Sequence, residues 1–116
     1  MGECKQLYFK FYADHRALFG LLVELGQTDA EVGQIWAQSR RAFYARIAQS
    51  LRRGIDAGKV RTDVDVDVAA ELMGSMTEFY AFQRFVLQDG VVKDVSPEDG
   101  ARALAGIWTS GLIRLA

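Results

Sequence analysis

Few side chains in this sequence could carry chemistry. It holds one histidine, His15, and one cysteine, Cys4. Eleven residues apart on what reads as a single helix, they stand about 16 Å from each other along its axis. They cannot share a metal ion, and no second His or Cys completes a metal or nucleophile–base set. His15 is therefore read as a polar residue at a helix break. Carboxylates cluster at Asp63, Asp65 and Asp67, the odd-position spacing of a calcium loop. Such a loop needs glycine at its sixth position, where Val68 stands. A solvated inter-helix loop with a helix cap explains these aspartates better. No phosphate-cradling G-x-x-x-x-G-K-[ST] or G-x-G-x-x-G run is present. Arg40-Arg41 and Arg52-Arg53 read as the wet side of an amphipathic helix. The sequence thus predicts no enzyme, no cofactor and no metal site.

The aromatic and methionine residues stand out more. Tyr8, Phe9, Phe11, Tyr12 and Phe19 lie early in the chain, Trp36, Phe43 and Tyr44 in its middle, and Met73, Met76, Phe79, Tyr80, Phe82 and Phe85 later. Buried tyrosines need partners for their hydroxyls, and polar-tipped aromatics with pliable methionines line adaptable small-molecule pockets. A plain helical core accounts for the same residues equally well.

The elements that must position them are helices. Residues 5–25 repeat apolar side chains at Leu7, Phe11, Leu18, Leu22 and Leu25, a helical spacing. Asp14-His15-Arg16 interrupts this helix, so a break is expected at 14–16, and Gly26 is expected to end it. A second helix over 29–57 is predicted to open on a capping box between Thr28 and Glu31 and to stop at Gly58. The period-two run at 63–68 resembles a strand, but no partner strand exists to satisfy its backbone. Asp65 is better used as the N-cap of a third helix over 66–88, which Asp89-Gly90 would end. Ser96-Pro97-Glu98-Asp99 starts the fourth: a cap, a proline at the first helical position, and acidic residues facing the helix dipole. The fold class expected is all-α, an antiparallel bundle of four main helices in one domain over 1–116.

At 116 residues, one core is the limit. Fourteen basic and 15 acidic residues give a formal charge of −1, which disfavours unaided DNA binding, a process driven by clustered Lys and Arg. The lone cysteine, the absence of a leader-like N-terminus and apolar runs far short of the ~20 residues that span a bilayer point to a cytoplasmic protein with no membrane partner. The third helix is apolar on more than one face, and the fourth mixes Ala101, Ala105, Gly106 and Gly111 with Leu104, Ile107, Trp108, Leu112 and Leu115. A domain this small cannot cover those surfaces alone, so a homodimer of C2 symmetry is inferred.

The stretch Leu51-Arg52-Arg53-Gly54-Ile55-Asp56-Ala57-Gly58-Lys59-Val60-Arg61-Thr62-Asp63-Val64-Asp65 resembles the end of the long central helix in TetR-family transcriptional regulators. There an apolar helix end leads through Gly-x-x-x-Gly (here Gly54 and Gly58) to a basic residue, an acidic loop and the next helix. Val68-Ala69-Ala70-Glu71-Leu72-Met73-Gly74 is similar to the family's small-residue helix start, and Tyr12-Ala13-Asp14-His15-Arg16-Ala17-Leu18-Phe19 to its earlier junction. Arg16 and Val66 stand where the family commonly has proline. The resemblance implies a C-terminal regulatory domain that binds a small, largely apolar effector and dimerises. It also implies that DNA is reached only through an N-terminal helix-turn-helix domain, which this sequence does not contain.

By the resemblance the last two helices pair with their dimer mates, through Leu72, Phe79, Phe82, Leu104, Ile107, Trp108, Gly111, Leu112 and Leu115, and the first three enclose the effector. Tyr12, Phe43, Ile47, Met73, Met76 and Tyr80 are the pocket candidates, chosen for facing positions and polar tips. The alternative is a dimeric helical protein-interaction module without a small-molecule ligand.

Overall fold

The structure, a computed structural model, describes residues 2–88 and 94–112, with side chains from Leu7 onward. Helix α1 (Gly2–Asp14) and helix α2 (Arg16–Thr28) are separated only at His15, whose backbone leaves the helical region at φ −119°, ψ 31°. The break falls where Asp14-His15-Arg16 predicted it. The His15 ring turns back onto the Phe11 carbonyl at 3.0 Å, which also accepts from the His15 amide at 3.1 Å.

Helix α3 (Ala30–Asp56) follows after a single non-helical residue. That residue, Asp29, is its N-cap, accepting from the amides of Glu31 at 2.9 Å and Val32 at 3.3 Å. The expected capping box at Thr28 is corrected: α2 runs on past Gly26, and the Thr28 hydroxyl donates back to the Leu25 carbonyl at 3.4 Å. Aspartate caps at least as well as threonine, and Asp29 stands one position closer to the apolar repeat. At the far end Gly58 takes φ +73°, a left-handed conformation that glycine adopts without a Cβ penalty. The chain then folds back so tightly that a Cβ on Gly54 would collide with the Val60 side chain.

Helix α4 (Val66–Ala81) opens on Asp65, which accepts from Asp67 and Val68 as the sequence indicated. The segment between α3 and α4 forms no strand; Arg61 forks onto both Asp63 oxygens at 2.7 Å. Arg61 also reaches the far end of the bundle, its amide donating to the Leu112 carbonyl at 2.9 Å and its guanidinium to that of Gly111 at 3.3 Å.

The third predicted helix does not stay α-helical to its end. Residues Phe82–Val86 form a π-helical turn, closed by the Leu87 amide on the Phe82 carbonyl at 3.0 Å. Its wider turn sets Phe85 into the core while Phe82 stays half-exposed. The expected terminator Asp89-Gly90 lies outside the described residues. Helix α5 (Pro97–Leu112) starts as predicted, with the Ser96 hydroxyl accepting from the Asp99 amide at 3.1 Å.

Helix α3 packs along α4 and α1 along α5, with α2 against α3 and the π turn against α1 and α2. Among the described residues there is no β-strand, and the all-α bundle expected from the sequence is observed. The shortest dimension of the Cα trace is 20 Å, about two helix layers. In such a slab every helix keeps an outward side. The core is sealed by Phe9, Tyr12, Leu51, Ala70, Met73, Ala81, Phe85, Ala101, Leu104 and Trp108. Among the described residues Thr77 is the buried polar one, and its hydroxyl is satisfied by the Met73 carbonyl at 2.8 Å. No helix of the described residues is long and apolar enough to cross a membrane.

Candidate functional site

Two aromatic clusters divide the interior. The first is closely packed: Phe9 is fully buried, with Tyr80 at 5.6 Å and Phe85 at 5.5 Å between ring centroids. In the second, Tyr12 stacks on Phe19 at 4.1 Å and lies 4.9 Å from Tyr8, Tyr8 stacks on Phe43 at 5.3 Å, and Phe19 reaches Trp36 at 6.0 Å. This chain of rings ends at a groove.

The groove has a volume of about 530 Å³ and is lined by Tyr12, Val23, Gly26, Gly33, Trp36, Arg40, Tyr44, Ser75, Glu78, Phe79 and Phe82. Sites for small molecules commonly occupy roughly 300–1,000 Å³ and combine apolar walls with a few convergent polar groups. Each helix supplies its part through its register. Tyr12 comes from α1 and Val23 and Gly26 from α2. Gly33, Trp36, Arg40 and Tyr44 recur at three and four residues along one side of α3. Ser75, Glu78, Phe79 and Phe82 do the same on α4 and into the π turn. Gly26 and Gly33 let α2 and α3 meet closely, since a Cβ on Gly33 would lie 3.0 Å from the Gly26 carbonyl oxygen. Across the groove Tyr44 lies flat over Gly74, where any Cβ would strike its ring.

Polar groups bridge α3 to α4 along the same wall. The Arg40 Nε donates to both Glu78 oxygens at 3.2 and 3.3 Å, and the Tyr44 and Ser75 hydroxyls share a hydrogen bond of 3.1 Å. Glu78 is the more enclosed partner, with 20% of its side chain exposed against 45% for Arg40. On the floor, the Tyr8 hydroxyl donates to that of Tyr12 at 3.2 Å. Burial raises the Tyr12 phenol above its ordinary value and the bond from Tyr8 opposes this, while Glu78 raises it further and Arg40 lowers it. Burial likewise pushes Tyr8 up. Both phenols are neutral hydrogen-bonding groups at neutral pH. Among the described residues no three His, Cys, Asp or Glu side chains come together as a metal-binding group.

Of the six pocket candidates taken from sequence, Tyr12 lines the groove. The other five are placed elsewhere. Phe43 stands behind Tyr12 on Tyr8, and Ile47 is packed partly buried against the core. Met73 is a core residue and Tyr80 belongs to the closely packed cluster, while Met76 is 43% exposed on the outer side of α4. The reason is rotational: on α4 the groove takes 75, 78, 79 and 82, about half a turn from the row of Met73 and Tyr80.

The dimer candidates divide similarly. Leu72 is 64%, Phe79 66% and Ile107 59% exposed. Phe82 and Phe79 line the groove. Leu104 and Trp108 are buried inside the protomer's own core, correcting the expectation that they face a partner. Gly111 is exposed and Leu112 half-buried at the end held by Arg61; Leu115 lies outside the described residues.

The doubled arginines are all exposed, as the sequence indicated, and two of them make surface ion pairs. Arg40 binds Glu78 and Arg52 binds Asp67 at 2.8 Å, each joining α3 to α4. Trp36, Arg40, Tyr44, Ser75 and Glu78 escaped sequence reasoning because Arg40 and Glu78 stand 38 residues apart. The repeat of Gly33, Trp36, Arg40 and Tyr44 along one helical side was the available signal.

No protein-family model and no curated protein matches this sequence.

Proposed function

We propose that this chain is the regulatory domain of a TetR-like transcriptional regulator, binding a small, largely apolar effector in the groove between α2, α3 and α4 and dimerising through the outer side of α4. The observation that carries the proposal is the double use of α4. Ser75, Glu78, Phe79 and Phe82 line the groove, and the next row round the helix, Val68, Leu72, Met76 and Phe79, is 43–66% exposed. Phe79 belongs to both. A contiguous apolar row of this kind marks an interaction surface more often than an idle one. A second copy related by a two-fold axis is the occupant in this reading.

The mechanism stems from that sharing. A ligand wedged against Trp36 and Phe82 bears on the same helix that meets the partner. It therefore favours whichever dimer arrangement gives α4 the better fit. In a parent regulator that preference sets the separation of two attached DNA readers, and operator affinity with it. The chain's own charge of −1 gives it little attraction for DNA.

The test has two arms. Sedimentation at micromolar concentration is expected to give twice the 12.9 kDa chain mass, and a thermal-shift screen of small aromatic compounds is expected to raise the melting temperature. A clean monomer removes the dimer. A dimer that no compound stabilises favours the ligand-free interaction module instead.

A further inference from the structure

In a groove that binds a ligand, the reading on which this inference rests, the polar groups select among ligands. Two of them, Tyr12 and Arg40, have donors to spare. Tyr12 is 5% exposed, and its oxygen accepts the Tyr8 proton, so its own proton is left to donate. Tyr12, Arg40 and Glu78 all line the groove. Arg40 uses only Nε on Glu78; Nη1 and Nη2 make no hydrogen bond among the described residues. That leaves the end-on edge of the guanidinium, the fork that matches a carboxylate with two parallel bonds. Glu78 is the anion of the set; both its oxygens already accept from Nε, and its side chain is the less accessible of the pair. An incoming cation meets the guanidinium first. An incoming anion meets two donors.

We infer that the groove takes a flat aromatic acid, its rings against Trp36 and Phe82 and its carboxylate on the Tyr12 hydroxyl and the Nη edge of Arg40. The apolar walls contribute most of the affinity and the donors contribute the choice between charged and neutral analogues. A carboxamide of the same shape keeps the walls but loses the negative charge and one of the two acceptor oxygens. An ammonium analogue keeps the walls and meets the wrong sign.

Three probes of one ring system separate these terms: naphthalene-1-carboxylate, naphthalene-1-carboxamide and 1-naphthylmethylammonium, titrated calorimetrically into the intact chain. The acid is expected to bind about tenfold or more tighter than the amide, and the ammonium more weakly than both. Arg40→Gln should bring acid and amide within a few-fold of each other. Tyr12→Phe, which keeps the ring stacked on Phe19, should weaken the acid several-fold and the amide little; it serves if Arg40→Gln fails to fold. Ammonium binding equal to or tighter than acid binding, or acid affinity indifferent to both substitutions, overturns the ligand class and leaves the groove standing. If none of the three binds, both the ligand class and the effector-site reading fall.

Discussion

The two aromatic clusters are built from the same residue types and stand side by side, yet they have opposite characters. Around Phe9, Tyr80 and Phe85 the rings close on one another and on Gly100, whose Cβ position already lies 3.3 Å from Phe9. Around Tyr12, Trp36, Phe79 and Phe82 the rings stop short and leave about 530 Å³ unfilled. The first cluster converts aromatic area into stability. The second holds apolar surface open and borders it with Arg40, Tyr44, Ser75 and Glu78. What separates them is the rotation of α4 and the π turn that follows it, which send Phe85 inward and Phe82 to the groove.

Truncation should break that comparison most sharply. Phe9→Ala, at a fully buried ring, is expected to cost about 3–5 kcal/mol, enough to unfold much of the population in a denaturant titration. Phe82→Ala, at a groove that is already open, should cost under about 1.5 kcal/mol and instead reduce binding of aromatic compounds about tenfold or more. Equal losses of stability at the two positions would erase the distinction.

A smaller effect sharpens the outer boundary of the groove. Leu72→Glu replaces a side chain that is 64% exposed. It should leave helical content unchanged by circular dichroism, with a stability change within about 0.5 kcal/mol for the isolated protomer, while halving the sedimenting mass. The same change at Trp108, inside the core, should unfold the chain and says nothing about a partner.

Asp29→Ala and Asp65→Ala each leave two helix-start amides without their acceptor and should lower stability by about 1 kcal/mol. The Asp29 variant should also loosen the groove wall that α2 and α3 share. Thr28→Ala should have almost no effect.

The smallest expected effect is at Arg61–Asp63, far from both clusters. The hydrogen bond from Arg61 holds the Asp63 carboxyl down at about 2. Its folded-state value lies below the unfolded 3.8, so its contribution is full above that unfolded value and is lost as pH falls through about 2. A solvent-exposed pair contributes little, so NMR titration of the Asp63 side chain is the suitable readout, not a melting curve.

Much of this architecture was legible in the sequence because it is written locally. Ser96-Pro97-Glu98, Asp65 and Gly58 each act within a few residues through a cap or a left-handed turn, and each does so in the structure. The break at His15 was legible for the same reason. Thr28 against Asp29 was a contest between adjacent acceptors that spacing alone does not decide. The π turn left no mark in periodicity, because one extra residue per turn shifts a pattern without destroying it. The groove was hardest to read. Tyr12 was visible as a polar-tipped aromatic, but telling Phe82 from Phe85, or Arg40 from Arg41, needs the packing angle between α3 and α4.

The central claim is that the space beside Tyr12 and Trp36 is a ligand site while the ring cluster around Phe9 is only core. Amide and side-chain NMR shifts recorded during titration with naphthalene-1-carboxylate test it most directly. Saturable shifts at the Trp36 indole N–H, Gly33 and Ser75, with Gly100 and Thr77 unmoved, are the predicted result. Shifts centred on the Phe9 cluster, or none that saturate, would contradict it.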